Sequence, residues 1–219
     1  MSSRFPVRRI FCVGRNYADH AREMGADPER EAPFFFCKPA DALNDGRDPL
    51  PYPGRTHNFH HEVELVVALA RGGEWLSVTD ASACLFGAAV GIDWTRRDLQ
   101  NESKKAGRPW DTAKAFDRAA TLGPIRRDFR IPSSGRLSGE IWLSVNGTRR
   151  QQGDLSELIW TVPEIIAELS TLFRLCPGDL IYTGTPAGVG AVRHGDRIEA
   201  GISSLGSISV AIAEGSSPC

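Results

Sequence analysis

One apolar run restricts the fold of this chain more than any other feature. The run is Val63–Leu69, which reads Val-Glu-Leu-Val-Val-Ala-Leu and is interrupted only by Glu64. It is rich in β-branched residues, and its apolar positions do not alternate with polar ones as they would on a half-exposed strand. The run therefore predicts a strand that passes through a buried sheet.

Two carboxylates, Glu62 and Glu64, lie at one end of this predicted strand. Side chains alternate along a strand, so both point to the same side, about 7 Å apart along the backbone. Two like charges this close require a shared proton, a basic partner or a divalent cation. A Glu-x-Glu pair is also common on a solvated strand face, which remains the alternative.

A third carboxylate favours the cation. The second apolar run, Leu85–Asp93, is also strand-like and ends abruptly in Asp93. Three carboxylates on two apolar strands indicate a metal site formed by Glu62, Glu64 and Asp93. Because all the donors are oxygens, the site suits Mg²⁺ or Mn²⁺ better than Zn²⁺.

Composition indicates an ordinary globular chain and leaves small molecules as the expected partners. With 219 residues, 41% hydrophobic and 24% charged, the chain is long enough for one large domain with a small N-terminal extension. A formal net charge of -1 gives no reason to expect nucleic acid or a membrane surface as a partner. The five cysteines are odd in number, form no Cys-x-x-Cys pair and mostly lie in apolar runs, so we expect reduced core residues. No apolar segment reaches about 18 residues, and the N-terminus lacks the apolar stretch of a signal peptide, so a cytoplasmic location is expected.

The N-terminal region predicts a strand at residues 7–13 and a polar helix at residues 17–24. On that helix His20 and Glu23 are neighbours one turn apart, as in a general base oriented by a carboxylate; an exposed ion pair is the alternative. The charged residues 27–32 follow directly and would suit a lid over a site.

Two lysines are further candidates. Lys38 lies near the end of an aromatic strand predicted at residues 33–39, which a proline closes. It is either a site residue or a strand-end lysine exposed to water. Residues 94–105 predict a polar helix whose first turn carries Arg97 and Gln100 close to the acids. Lys114 lies in an irregular loop predicted at residues 107–117, where it either polarises a substrate carbonyl or is simply solvated.

The C-terminal half predicts a sheet with one helix. Glu140–Val145 and residues 148–152 form a hairpin on an Asn-Gly turn, and residues 161–173 have the apolar spacing of an amphipathic helix. The glycines at 184, 188 and 190 do not match a nucleotide-binding pattern and predict a tight loop that could face a ligand. Two more strands are expected between residues 196 and 212.

Taken together, these residues resemble the fumarylacetoacetate hydrolase family, in the family's order and over roughly residues 7–213. Within the family, the chain is similar to the compact acylpyruvate hydrolases, and most of all to the bacterial fumarylpyruvate hydrolases of gentisate breakdown. The motifs that carry the resemblance are Val-Gly-Arg-Asn-Tyr-Ala-Asp-His at 13–20, His-His-Glu-Val-Glu at 60–64, Gly-Ile-Asp at 91–93, Arg-Asp-Leu-Gln at 97–100, Lys-Ala-Phe at 114–116 and Tyr-Thr-Gly-Thr-Pro-Ala-Gly-Val-Gly at 182–190.

The resemblance implies a mainly β fold with some α, a mixed β-sandwich roll at residues 56–219 with a small N-terminal extension at residues 1–55. It implies a homodimer that holds one Mg²⁺ or Mn²⁺ per chain, with Glu62, Glu64 and Asp93 as ligands. The further roles it implies are His20 and Glu23 as the water-activating pair on a lid helix, Lys114 as the carbonyl-polarising lysine, Arg97 and Gln100 as polar groups around the substrate, and Thr185 as a contact to its carboxylate.

The function implied is hydrolysis of the C–C bond of a 2,4-dioxo acid, with fumarylpyruvate as the expected substrate and Arg15 as the cation for its far carboxylate. Residues 25–33 depart from the compact relatives in length and charge, which leaves substrate choice open. The alternatives are decarboxylation of oxaloacetate or a related 2-oxo acid in the same site, and a non-catalytic, metal-stabilised binding protein.

Overall fold

The computed structural model describes residues 5–19 and 31–213, and these residues are mostly β with few helices. The strands are β1 (Arg9–Gly14), β2 (Phe34–Lys38), β3 (Leu43–Asn44), β4 (Leu50–Pro51), β5 (Phe59–His61), β6 (Val63–Leu69), β7 (Leu85–Asp93), β8 (Thr95–Arg96), β9 (Ala120–Leu122), β10 (Glu140–Val145), β11 (Thr148–Asp154), β12 (Asp179–Tyr182), β13 (Gly190–Ala191), β14 (Arg197–Ile202) and β15 (Gly206–Ala213). The helices are α1 (Val78–Ser82), α2 (Arg97–Ala106), α3 (Asp111–Lys114) and α4 (Val162–Leu172), with 3₁₀ turns at Ala40–Ala42 and Leu155–Glu157.

The strands form three mixed or antiparallel sheets. A seven-stranded sheet has the order β2-β1-β12-β6-β7-β9-β3, a five-stranded sheet the order β11-β10-β14-β15-β4, and a three-stranded sheet the order β13-β5-β8. The central strands β6 and β7 of the first sheet contact β10, β14 and β15 of the second. The two larger sheets therefore pack on one another, which confirms the predicted mainly β sandwich.

Strand β6 is buried on both faces, as its apolar sequence, interrupted only by Glu64, predicts. Leu65 and Val67 belong to a large core that also contains Ile141 and Ile198 of the five-stranded sheet. Val66, on the opposite face, belongs to a smaller core with residues of β1 and β12. Every residue of β6 is buried, including Glu64.

The predicted hairpin and C-terminal helix are also confirmed. Asn146 and Gly147 both have positive φ, 51° and 77°, as the Asn-Gly dipeptide of a two-residue hairpin turn requires. Helix α4 follows Thr161, whose backbone N–H donates to the Glu164 carboxylate at 2.9 Å, and Pro163 lies in its first turn.

Two expectations are wrong. The stretch at residues 107–117 is not wholly irregular, because it contains the one-turn helix α3, which ends at Lys114. The second concerns the cysteines: those at 12, 37, 84 and 176 are free, but Cys37 is exposed rather than in the core. It lies on β2, the edge strand of its sheet, where alternate side chains face outward.

Several expectations for the N-terminal region stay predictions. His20 and Glu23 lie outside the described residues, as do most of the predicted helix at 17–24 and most of the segment at 25–33. The division at residue 55 is also untested; β1 to β3 belong to the seven-stranded sheet and β4 to the five-stranded one. Among the described residues, no helix is long and apolar enough to span a membrane.

Candidate active site

The register of β6 against β7 brings the three predicted acids together. Val63 pairs with Ile92, and Glu64 pairs with Gly91. One step further along, the backbone N–H of Asp93 donates to the carbonyl of Glu62 at 2.8 Å. All three side chains are buried, and one carboxylate oxygen from each lies within 4.8 Å of the others.

Gly91 keeps room for this cluster because it has no side chain opposite Glu64. A Cβ at Gly91 would lie 2.4 Å from Val66 Cγ2 and 2.8 Å from the Tyr182 ring. Any larger residue would therefore have to push aside the Val66 side chain, which lies on the same strand as Glu64, or the Tyr182 ring.

Basic side chains neutralise two of the three carboxylates. Lys114 Nζ donates to Glu62 at 2.7 Å and to Asp93 at 2.8 Å, and Arg97 donates to the other oxygen of Glu62. Burial alone would lower the pKa of Lys114, but the nearby Asp93 and Glu62 charges outweigh it and raise the pKa. Lys114 is buried, so the solvated alternative for this lysine is wrong.

Lys38 belongs to the same cluster. Its side chain is fully buried, and Nζ lies 2.7 Å from Asp93 Oδ1. The same ammonium donates to the carbonyl of Trp94 at 3.2 Å and to the carbonyl of Lys114. The exposed strand-end alternative is wrong because β2 turns this terminal side chain inward, beneath Asp93.

Glu64 is left with a weaker partner. Within the described part of the chain, no lysine or arginine forms an ion pair with it, and the backbone N–H of Gly184 donates to its Oε2 at 2.7 Å. Burial, followed by the charges of Asp93 and Glu62, raises the pKa of Glu64 well above its ordinary value. An added cation would stabilise the charged form of this carboxylate most.

One buried glutamine, Gln151, holds the loop that contains Gly184 against strand β6. Its Oε1 accepts from the Val63 backbone N–H at 3.1 Å and lies 2.9 Å from His61 Nδ1. Its Nε2 donates to Thr185 Oγ1 at 2.7 Å and to the Pro186 carbonyl at 2.9 Å. The position of Thr185 is thus coupled to the backbone between the two glutamates.

Helix α2 presents one face to the acids. Arg97, Gln100 and Lys104 are spaced by three and four residues and share that face. Arg97 Nη1 donates to Gln100 Oε1 at 2.6 Å, and Nε approaches His60 Nδ1 at 3.4 Å. Burial and then the Arg97 charge lower the pKa of His60 to about 4, so this histidine is neutral at pH 7.

The acids and several of the polar groups around them line one cleft that opens to solvent and offers about 390 Å³ of space, part of it open to solvent. Polar and apolar side chains both contribute to its wall. The lining residues are Val13, Gly14, Arg15, Phe34, Phe36, Glu62, Glu64, Asp93, Arg97, Gln100, Lys104, Trp110, Lys114 and Thr185.

The cleft suits a hard divalent cation that is bound by carboxylate oxygens of the protein. The donor set consists of three buried carboxylates, which is the chemistry that Mg²⁺ and Mn²⁺ prefer. Burial and the neighbouring carboxylates raise the pKa of Glu64, so a cation bound beside it would favour its charged form. The residues present therefore fit the metal that the sequence predicts.

The cleft brings together eight residues proposed from the sequence: Arg15, Glu62, Glu64, Asp93, Arg97, Gln100, Lys114 and Thr185. Sequence reasoning missed Lys104 and Gln151. The helical spacing from Arg97 and Gln100 could have revealed Lys104, whereas Gln151 is a polar residue on a hairpin strand with no local signal.

Known proteins are similar to this chain in sequence and in fold. Residues 9–213 match the family described as Fumarylacetoacetate (FAA) hydrolase C-terminal. The oxaloacetate tautomerase FAHD1, mitochondrial, of Rattus norvegicus is 44% identical over 195 residues, which is 89% of this chain and 87% of that protein. A fumarylpyruvate hydrolase from a Ralstonia species is 42% identical over 188 residues, covering 85% of this chain and 95% of that protein.

A solved structure extends the comparison to three dimensions. It is the crystal structure of fumarylpyruvate hydrolase from Pseudomonas aeruginosa in complex with Mn²⁺ and pyruvate. It matches this chain with a TM-score of 0.90 and 49% identity, over 98% of this chain and 93% of that one. The chain belongs to the fumarylacetoacetate hydrolase C-terminal family.

Proposed function

We propose that this protein is a divalent-metal-dependent hydrolase that cleaves a 2,4-dioxo acid, with fumarylpyruvate as its preferred substrate and fumarate and pyruvate as products. The observation that carries the proposal is the cleft itself. It joins a three-carboxylate cluster to Lys114, Arg97, Gln100 and Thr185 in a chain whose solved relative holds Mn²⁺ and pyruvate.

Glu62, Glu64 and Asp93 would hold the metal. When bound, Mg²⁺ or Mn²⁺ supplies Lewis-acid stabilisation of negative charge on the oxygens of the 2-oxo acid. Lys38 contacts Asp93 and Gln151 donates to Thr185, and these contacts orient both side chains. The hydroxyl of Thr185 would contact the substrate carboxylate.

The remaining residues carry the hydrolytic step. His20, oriented by Glu23, takes a proton from a water molecule whose oxygen then bonds to C4 of the substrate. Lys114 and Gln100 donate hydrogen bonds to the oxyanion that forms at C4. The C3–C4 bond then breaks: its electrons leave with C3 as the pyruvate enolate, which takes up a proton, and the added oxygen stays in the fumarate carboxylate.

A second candidate is tautomerisation of oxaloacetate, favoured by the 44% identity to the rat oxaloacetate tautomerase. This reaction moves a proton between C3 and an oxygen and breaks no C–C bond, so it needs no attacking water. Decarboxylation of oxaloacetate is a related alternative that releases pyruvate without using water.

One assay separates these reactions. Purified protein with Mg²⁺ is given fumarylpyruvate, acetylpyruvate or oxaloacetate, and both enol absorbance and pyruvate are followed. A hydrolase releases pyruvate and fumarate in equal amounts from fumarylpyruvate, and His20→Ala abolishes this release. Loss of oxaloacetate enol absorbance without pyruvate, combined with no cleavage of fumarylpyruvate, would instead identify a tautomerase.

Location and assembly belong to the same proposal. We expect a cytoplasmic homodimer that binds a small dioxo acid as its substrate and has no nucleic acid or membrane partner. Light scattering on the purified protein measures the assembly directly, and a mass equal to one chain would contradict the dimer.

A further inference from the structure

We infer that Lys104 and Arg15 form an anion subsite at the outer end of the cleft, which binds the far carboxylate of a dicarboxylic 2-oxo acid. The inference rests on the proposed function, because it assumes that the 2-oxo acid end of the ligand lies at the acid cluster formed by Glu62, Glu64 and Asp93. Both cations line the cleft and are half-buried, whereas the three acids are buried, so the cations lie nearer to solvent.

A row of three aromatic rings joins the inner and outer ends of the cleft. At the inner end, Lys114 Nζ lies 5.0 Å from the centre of the Phe36 ring, and this ring lies 5.9 Å from that of Trp110. Trp110 in turn meets Phe34 edge-on at 5.3 Å. The rings provide an apolar wall between the acid cluster and the outer cations.

The two outer cations lie over the far rings of this row. Lys104 Nζ is 5.2 Å from the centre of the Trp110 ring, and Arg15 Cζ is 5.8 Å from that of Phe34. A ligand complementary to the cleft therefore has a 2-oxo acid at one end, a flat apolar middle and a second carboxylate at the other end.

Within the described part of the chain, neither Lys104 nor Arg15 has a counter-ion. Among residues 5–19 and 31–213, no carboxylate lies within 4.0 Å of either basic group. Burial, and then the charges of Arg97 and Arg15, lower the pKa of Lys104 to about 8, with a further contribution from Lys114 that Glu62 opposes. An anion placed between Lys104 and Arg15 would relieve this repulsion.

The next residue on α2 provides a matched control. Lys104 continues the face of Arg97 and Gln100, whereas Lys105 is exposed and does not line the cleft. Neutralising Lys105 changes the net charge by the same amount without altering the subsite.

Calorimetric titration of the Mg²⁺-loaded protein tests the inference with two probes, 2-oxoheptanedioate and 2-oxoheptanoate. They share the 2-oxo acid and the chain length and differ only in the far carboxylate. The wild type should bind the diacid at least about tenfold more tightly, which is the size of one charge-assisted contact. Lys104→Gln and Arg15→Gln should each remove most of this preference, while Lys105→Gln and the charge-conserving Lys104→Arg should retain it.

The inference is overturned if the wild type binds the two probes equally, if Lys104→Gln keeps the full preference, or if Lys105→Gln loses it to the same extent. Circular dichroism and urea midpoints establish that each variant is folded. Because binding needs no turnover, a diacid preference without C–C cleavage would refute the proposed hydrolysis and leave the subsite standing.

Discussion

At the scale of single residues, Lys38 makes more buried contacts than a lysine at the end of a strand usually does. Its buried ammonium contacts Asp93 and two backbone carbonyls, those of Trp94 and Lys114. One side chain therefore ties the end of β2 to a proposed metal ligand and to the helix that ends in Lys114.

Replacing this lysine should destabilise the metal-free protein. In Lys38→Met, Lys114 is the one buried cationic partner that the described residues still offer to Asp93, and we expect a loss of roughly 3 kcal/mol in the free energy of unfolding. Urea unfolding in EDTA measures this loss. Lys105→Met, at an exposed site, should change the free energy of unfolding by less than about 0.5 kcal/mol, and an equally small effect of Lys38→Met would contradict the role described.

The lowered pKa of Lys104 predicts a pH dependence of substrate choice. A lysine with a pKa of about 8 loses its charge as the pH rises through that value, so its attraction for a carboxylate is present below pH 8 and declines above it. The ratio of kcat/KM for fumarylpyruvate to that for acetylpyruvate should therefore fall between pH 7 and pH 9. Lys104→Arg should flatten this profile, because arginine stays charged; an equally steep profile in that variant would point to another group.

At the scale of elements, β11 connects strand β6 to the loop that contains Gly184 and Thr185. Gln151 on this strand is fully buried. It contacts β6 at Val63 and the loop at Thr185 and Pro186. Gly184 has a φ of 102°, which favours glycine, and its N–H donates to Glu64. The loop is thus attached to the acid cluster at two points.

Gln151→Met should loosen this attachment. The Val63 N–H and the Thr185 hydroxyl lose a buried partner, which should cost roughly 2–4 kcal/mol in the free energy of unfolding. A misplaced Thr185 should also raise KM for 2-oxo acid substrates more than it lowers kcat. The neighbouring Gln152→Met, at an exposed position of the same strand, should leave both unfolding and kinetics unchanged; a matching effect there would indicate general disruption of β11.

At the scale of the whole molecule, the acids lie on the two central strands of the larger sheet. Strands β6 and β7 contact the second sheet, and together they carry Glu64 and Asp93, with Glu62 directly before β6. Metal bound there would bridge the strands around which both sheets are packed, so metal binding and global stability should be linked.

Mg²⁺ should therefore stabilise the protein against unfolding. At about a hundredfold excess over Kd, one bound ion contributes about 2.7 kcal/mol. Glu64→Ala should lose this gain and also turnover, because two carboxylates offer too few oxygens to hold the ion. Urea unfolding with and without Mg²⁺ provides the measurement, and normal acylpyruvate hydrolysis by EDTA-treated protein would contradict the metal requirement.

Local sequence alone determined much of this molecule. The strands β6 and β7, the Asn-Gly hairpin, helix α2 and helix α4 follow from apolar periodicity, turn residues and capping, which act over a few neighbouring residues. The three acids could be identified as a group because a charge inside or at the end of a buried apolar run is costly unless something compensates for it.

Tertiary structure decided what the local pattern left open. Nothing near Lys38 or Lys114 in the sequence indicates that either ammonium lies against Asp93, because those contacts join strands and helices that are distant along the chain. Gln151 likewise acquires its role only when β11 is brought next to β6 and the loop at Thr185. The charge balance of the cleft, including the outer pair Lys104 and Arg15, depends on which groups the packed sheets bring close together. These groups are far apart along the chain, and local periodicity contains no information about their separation in space.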